Sequence, residues 1–91
     1  MIINQFIKAA GEGNLQELDR IVSMNPEQIQ NMVSARDYFA FREAVFHGHL
    51  AVIEKLVKLA PERVHDMVGA KNFLAFQLAA HNGHLAVLDK L

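Results

Sequence analysis

Apolar residues along the chain recur at helical spacing. Two segments repeat the spacing i, i+3, i+6 and i+7, which places the apolar side chains on one stripe of a helix. The stripes are Tyr38, Phe41, Ala44 and Val45 in one segment, and Phe73, Phe76, Ala79 and Ala80 in the other. Each segment is therefore predicted to be a helix with one buried face.

Two further helices are predicted, one before the first stripe and one between the two stripes. The same spacing is kept by Leu15, Leu18, Ile21 and Val22, and again by Leu50, Ile53, Leu56 and Val57. Pro26 and Pro61 then interrupt the helix and suit the first turn of a new one. Apolar residues at i, i+3 and i+4 follow each proline, which predicts a short third helix; they are Ile29, Met32 and Val33, and Val64, Met67 and Val68.

The chain repeats itself every 35 residues. The interval is kept by Gly13, Gly48 and Gly83, and by Phe6, Phe41 and Phe76. Residues 6–40 and 41–75 are identical at 11 of 35 positions, and residues 76–91 match the preceding unit at 9 of 16. We therefore predict one domain, 1–91, with units 1–40, 41–75 and an incomplete 76–91. Stacked helical units of this size form an α-solenoid, so the predicted fold class is all-α.

Glycine and polar residues mark the turn between the first two helices of each unit. Gly13, Gly48 and Gly83 are predicted to end the first helix, because glycine adopts the left-handed conformation without a Cβ clash. Asn14 follows as an N-cap, with Glu17 as its capping-box partner. His49 and His84 occupy the position of Asn14, and we expect them to tie the turn by hydrogen bonds to the backbone.

The turn sequences resemble those of ankyrin repeats, most closely at Ala79-Ala80-His81-Asn82-Gly83-His84-Leu85. The family ends its first helix with Ala-Ala, two variable residues and then Gly-His-Leu. The period of 35 rather than 33 residues departs from the family, and the extra short helix is expected in place of the projecting β-hairpin. This helical variant resembles repeats in proteins of intracellular bacteria, including secreted effectors.

The resemblance implies a non-catalytic scaffold that binds a partner protein through its concave face and inter-repeat segments, without a cofactor. It also implies a cytoplasmic protein, or one in a host cytosol if it is a secreted effector. An armadillo or HEAT-type solenoid is the alternative, because those units also contain several helices. The Gly-His-Leu turn and the short period argue against that alternative.

Composition narrows the functional classes further. The 91 residues carry 9 Lys and Arg against 10 Asp and Glu, so the chain has no excess of positive charge that would favour binding to nucleic acid. Apolar runs are too short to cross a membrane. Cysteine is absent, which removes disulfides and thiol chemistry. The two serines, Ser23 and Ser34, lie in no nucleophile motif, so no catalytic residue is predicted.

Histidine is the one residue type that invites a metal hypothesis. A zinc site needs three or four ligands at one point. The candidates are His47, His49, His81 and His84. Because successive turns of a solenoid are separated by a helix–helix spacing, only an approach between units would join them. We therefore predict no metal and keep a metal-site domain as the weakest hypothesis.

Positions that differ between units are the candidate partner-binding residues, because stacking does not require them. The variable pair at the end of the first helix is Gly11-Glu12, then Phe46-His47, then His81-Asn82. The segment entering that helix also varies, with Arg36-Asp37 against Lys71-Asn72. Phe46 is the strongest candidate, and Arg42 lies one turn away. The alternative is that Phe46 packs locally against Tyr38 or Phe39.

The third unit is apolar and unfinished at residues 76–91. Leu85, Leu88 and Leu91 present an apolar face that no polar cap covers. Repeat units bury such faces against their neighbours. We therefore expect either further repeats after Leu91 or self-association through this unit.

Overall fold

The computed structural model describes residues 2–69, which hold the first unit and most of the second. Helices α1 (Ile2–Glu12) and α2 (Leu15–Met24) precede a 3₁₀ turn at Pro26–Gln28. Helices α3 (Ile29–Phe46) and α4 (Leu50–Leu59) follow, then a second 3₁₀ turn at Pro61–Arg63, and residues 64–69 are helical and named α5. No strand occurs within residues 2–69, as predicted for an all-α chain. Within the same range no helix is long and apolar enough to cross a bilayer.

α3 joins two of the predicted helices across a kink. Its first part is the short third helix of the first unit, and its second part is the first helix of the second unit. Between them, Arg36, Asp37 and Tyr38 have φ values of 56°, 56° and 61°, so they form one left-handed turn. The proline-initiated third helix is therefore confirmed in the first unit. The left-handed turn that follows it had no signal in the apolar spacing.

The helix ends at Gly13 and Gly48 share one geometry. Their φ values are 73° and 72°. In the first unit, the amides of Gly13 and Asn14 donate to the carbonyls of Ala10 and Ala9, at 3.2 and 2.9 Å. In the second unit, residues 48 and 49 repeat this pair of bonds, at 3.1 and 2.8 Å. This is the Schellman motif, which satisfies the last carbonyls of a helix. The predicted glycine stop is confirmed at both positions.

Only half of the predicted capping box forms at the start of α2. The Asn14 side-chain oxygen accepts from the Glu17 amide at 3.1 Å. The predicted return bond, in which the Glu17 carboxylate accepts from the Asn14 amide, was wrong. That carboxylate instead accepts two bonds from Arg20, at 2.6 and 2.8 Å. The hydrogen bond from Arg20 lowers the pKa of Glu17, and it raises the pKa of Arg20.

The core is built from equivalent positions of the two units. Each pair 35 residues apart is buried in both units, with exposure of 2% or less. The pairs are Phe6 and Phe41, Ala9 and Ala44, Leu18 and Ile53, Ile21 and Leu56, and Met32 and Met67. These core positions are therefore filled by the same or similar apolar residues in both units.

Several polar bonds join the two units within residues 2–69, and in three of them a side-chain nitrogen of His49, Lys55 or Arg63 bonds to an oxygen of the first unit. The His49 ring bonds through Nε2 to the carbonyl of Gly11 at 3.0 Å. The Lys55 ammonium lies 2.7 Å from the Asp19 carboxylate. The Arg63 Nε donates to the Gln30 side-chain oxygen at 2.6 Å. These bonds fix the orientation of the second unit relative to the first.

The face that the second unit turns toward the first is apolar at its centre. Val52 lies between His49 and Lys55 on one side of α4 and is 1% exposed. The corresponding position in the first unit is Glu17, whose carboxylate pairs with Arg20 and is partly exposed.

We therefore expect Glu17→Val to increase self-association, because it places at residue 17 the apolar side chain that the second unit buries at the equivalent Val52. Burying one valine across an association can strengthen it by about tenfold. Sedimentation velocity over a concentration series measures the effect. Gln16→Val is the matched control, since residue 16 and its equivalent Ala51 are both exposed. Equal association of the two variants would contradict the assignment of this face.

Candidate partner-binding site

The variable residues of the two units lie at the ends of α1 and α3, which pack against each other. We call this surface the end patch; it consists of Gly11, Glu12, Glu43, Phe46 and His47. The two Schellman turns end the helices here, so these side chains lie on the last helical turns. The pairs Gly11-Glu12 and Phe46-His47 were predicted from sequence, whereas Glu43 was not.

Phe46 is 39% exposed, and among residues 2–69 only Met24 is a more exposed large apolar side chain. Its ring meets the edge of the His47 ring, with centroids 4.9 Å apart. Its buried neighbours in α3, Phe41 and Val45, carry the shared core instead. The accessible aromatic surface fits the predicted role of an interface residue, and that role remains a prediction.

Gly11 leaves room for the side chain of Glu43. A Cβ at residue 11 would lie 3.5 Å from Glu43 Oε1 and 3.5 Å from Glu43 Cβ. The Glu43 side chain is 34% exposed, and its Oε1 lies 3.9 Å from Nε2 of His47. The glycine therefore forms a notch in which a carboxylate lies beside two rings, those of Phe46 and His47.

The predicted residues Arg36, Asp37 and Arg42 lie at the opposite end of this part of α3. Arg42 donates to the carbonyls of Asp37 and Arg36, at 3.0 and 2.9 Å. Arg36 donates to the Asn4 side chain at 2.8 Å. The Arg42 guanidinium also lies 5.1 Å from the centre of the Phe39 ring. These bonds hold the left-handed turn, a structural role that sequence reasoning did not assign to Arg42.

We expect Arg42→Lys to destabilise the chain by about 1–2 kcal/mol. A lysine has one compact ammonium and cannot reproduce the two bonds of the planar guanidinium. Each left-handed residue costs about 1–2 kcal/mol, so the turn depends on such bonds. Urea unfolding measures the loss, with Lys58→Arg as a control on exposed α4. An unchanged free energy of unfolding for Arg42→Lys would contradict this role.

The histidines of the second turn have different surroundings. His49 bonds to the backbone, as expected, but the carbonyl is that of Gly11 at the end of α1 in the first unit, and it makes no side-chain cap on α4. The rings of His47 and His49 are 6.0 Å apart. In the range 2–69, no three His, Asp or Glu side chains converge as metal ligands would.

Sequence reasoning missed a polar cluster between the units. Arg63 donates to the Tyr38 hydroxyl at 3.0 Å as well as to Gln30, and that hydroxyl lies 3.4 Å from the Asp66 carboxylate. The hydrogen bond with Tyr38 raises the pKa of Arg63. None of these side chains repeats at 35 residues, and that departure from the repeat was the signal available.

Several predicted residues lie outside the described part of the chain. They are Lys71, Asn72, His81, Asn82, Gly83 and His84, together with the incomplete unit at residues 76–91. Their roles therefore stay predictions. The end patch and the left-handed turn, by contrast, are placed by the structure.

No protein-family model and no curated protein matches this sequence. The structure is similar to the crystal structure of an ankyrin repeat family protein from Legionella pneumophila, with a TM-score of 0.84 and 41% sequence identity. The match covers 87% of this chain and 23% of that chain. The predicted resemblance to ankyrin repeats from an intracellular bacterium is confirmed, and it favours this repeat type over armadillo or HEAT units.

Proposed function

Because the chain is an array of ankyrin-like repeats of the helical type seen in that bacterial protein, we propose that it is a non-catalytic scaffold that binds a partner protein. The binding surface is the concave face with the inter-repeat segments. The end patch provides its centre in the described units. Repeats of this architecture present side chains from successive units on one extended surface, which suits the recognition of another protein.

The observation that carries the proposal is the difference in exposure between two phenylalanines of α3. Phe41 is shared with the first unit and is 1% exposed, whereas Phe46 is not shared and is 39% exposed. Burial in the core of residues 2–69 therefore accounts for Phe41, whereas the Phe46 side chain keeps accessible surface. A large aromatic residue on an accessible helix end is a common anchor of protein interfaces.

The test uses the full chain as bait for proteins in a cell lysate, with capture quantified by mass spectrometry. We expect Phe46→Ala to reduce capture of a specific partner by about tenfold or more, since interface anchors contribute that much. Met24→Ala is the control, because Met24 is 67% exposed and lies far from the end patch along the chain, at the end of α2. Equal capture by all three baits would overturn the proposal.

Three further statements belong to the proposal. The partner is a protein rather than nucleic acid or a membrane, in keeping with the absence of a positive excess. The third unit at 76–91 provides a second route of association, with another copy of the chain. The protein acts in the cytoplasm, or in a host cytosol if it is secreted as an effector.

A further inference from the structure

Within residues 2–69, the carboxylate of Glu43 lies against Gly11 without a lysine or arginine partner. Of the ion pairs within residues 2–69, the one that includes Glu43 joins it to His47, at 3.9 Å. That contact is long, and it gains charge only when the histidine is protonated. The side chain is about two-thirds covered, because Gly11 lies beneath it. A partly desolvated carboxylate attracts a cation more strongly than one in open water.

Arg42 does not neutralise this carboxylate, although it is next to Glu43 in sequence. Its guanidinium points toward the left-handed turn, where it donates to two carbonyls and lies against Phe39. Glu43 therefore remains the source of attraction for a cation at this notch.

Aromatic rings border the same carboxylate. Phe46 and His47 follow Glu43 by three and four residues, so all three lie on one side of α3. The two rings meet edge to face, with centroids 4.9 Å apart. A carboxylate and an accessible phenylalanine ring that lie side by side can together contact both parts of a basic side chain. The carboxylate binds the cationic head, and the ring packs against the aliphatic stem or the cation itself.

We propose that the end patch binds an arginine or lysine side chain of the partner protein, with Glu43 as its counter-ion and Phe46 as its apolar contact. This inference rests on the proposed function and specifies the chemistry of the partner. The opposite choice, an acidic partner segment, would place a second carboxylate beside Glu43. Like charges at such a distance oppose binding.

The test selects a random dodecapeptide phage library on the immobilised full chain. We expect selected peptides to be enriched in arginine or lysine, and the dissociation constant of the best peptide to rise by about tenfold with Glu43→Gln. Glu62→Gln is the matched control, because it removes the same charge from an exposed site in the second 3₁₀ turn. It should leave the affinity unchanged. Circular dichroism melting confirms that both variants fold.

Charge reversal provides the sharper result. Selection on Glu43→Arg should yield acidic peptides, because the notch then carries the opposite charge. Selected peptides without basic enrichment, or an affinity unaffected by Glu43→Gln, would overturn the inference. Failure to select any peptide would also count against it. The lysate capture with Phe46→Ala decides the proposed function separately, so a partner that depends on Phe46 but not on Glu43 would leave the scaffold function standing.

Discussion

Phe41→Ala is expected to destabilise the chain by about 3–5 kcal/mol, because it empties a fully buried ring position in the stacked core. Phe41 is 1% exposed, and its equivalent Phe6 is 0% exposed. A chain of this size has a total stability of about 5–14 kcal/mol, so the loss is a large fraction of it. Urea unfolding followed by circular dichroism measures the change. Phe6→Ala should cost about as much, because the two positions are equivalent.

Phe46→Ala is the matched control for this result. It makes the same substitution in the same helix, but at a side chain that is 39% exposed. We expect a loss of about 1 kcal/mol or less. Comparable destabilisation by Phe41→Ala and Phe46→Ala would mean that Phe46 belongs to the core, and it would remove the basis for an interface at the end patch.

Gly13→Ala is expected to destabilise the chain by about 2–3 kcal/mol, for two separate reasons. The φ of 73° at this position is strained for alanine, at a cost of about 1–2 kcal/mol. A Cβ there would also lie 2.6 Å from Nδ1 of His49. The imidazole must then move, which weakens or breaks its hydrogen bond to the Gly11 carbonyl. Such a bond contributes about 1 kcal/mol to stability.

Gly11→Ala serves as the control, because it adds the same methyl group two residues earlier. Its Cβ would make an ordinary contact of 3.5 Å with Glu43. Replacing a helical glycine by alanine stabilises a helix by about 0.5–1 kcal/mol. The two variants should therefore shift the urea midpoint in opposite directions. A shift of the same sign and size in both would contradict the assigned role of Gly13.

The repeating architecture could be predicted because the same physical demand recurs every 35 residues. Each unit must stop a helix at glycine and bury one phenylalanine, and both demands leave the same residue type at the same interval. Gly13 and Gly48 show the first, and Phe6 and Phe41 the second. Comparing the units with one another therefore identified the core.

The left-handed turn at residues 36–38 could not be predicted in the same way. Arg36 and Tyr38 have side chains that disfavour a positive φ, so their residue types argue for another conformation. The turn is held by bonds from Arg42, a residue several positions away along the chain. The conformational propensity of a residue does not report a backbone conformation that bonds from other side chains impose.

The candidate site was predicted only in part, and for a related reason. Variability between units singled out Phe46 and His47, because no shared contact requires them. It did not single out Glu43, which gains its surroundings from the missing side chain of Gly11. That relation depends on how α1 packs against α3. Pairs of this kind lie in different units and leave no pattern along the sequence.

Fluorine NMR with 4-fluorophenylalanine tests the central claim, that residues shared by the units form the core and Phe46 remains accessible. A paramagnetic gadolinium complex added to the solvent relaxes each fluorine according to its exposure. We expect the signals of Phe6 and Phe41, assigned by single substitutions, to be protected equally, and that of Phe46 to relax fast. Unequal protection of Phe6 and Phe41, or protection of Phe46 equal to theirs, would contradict the account.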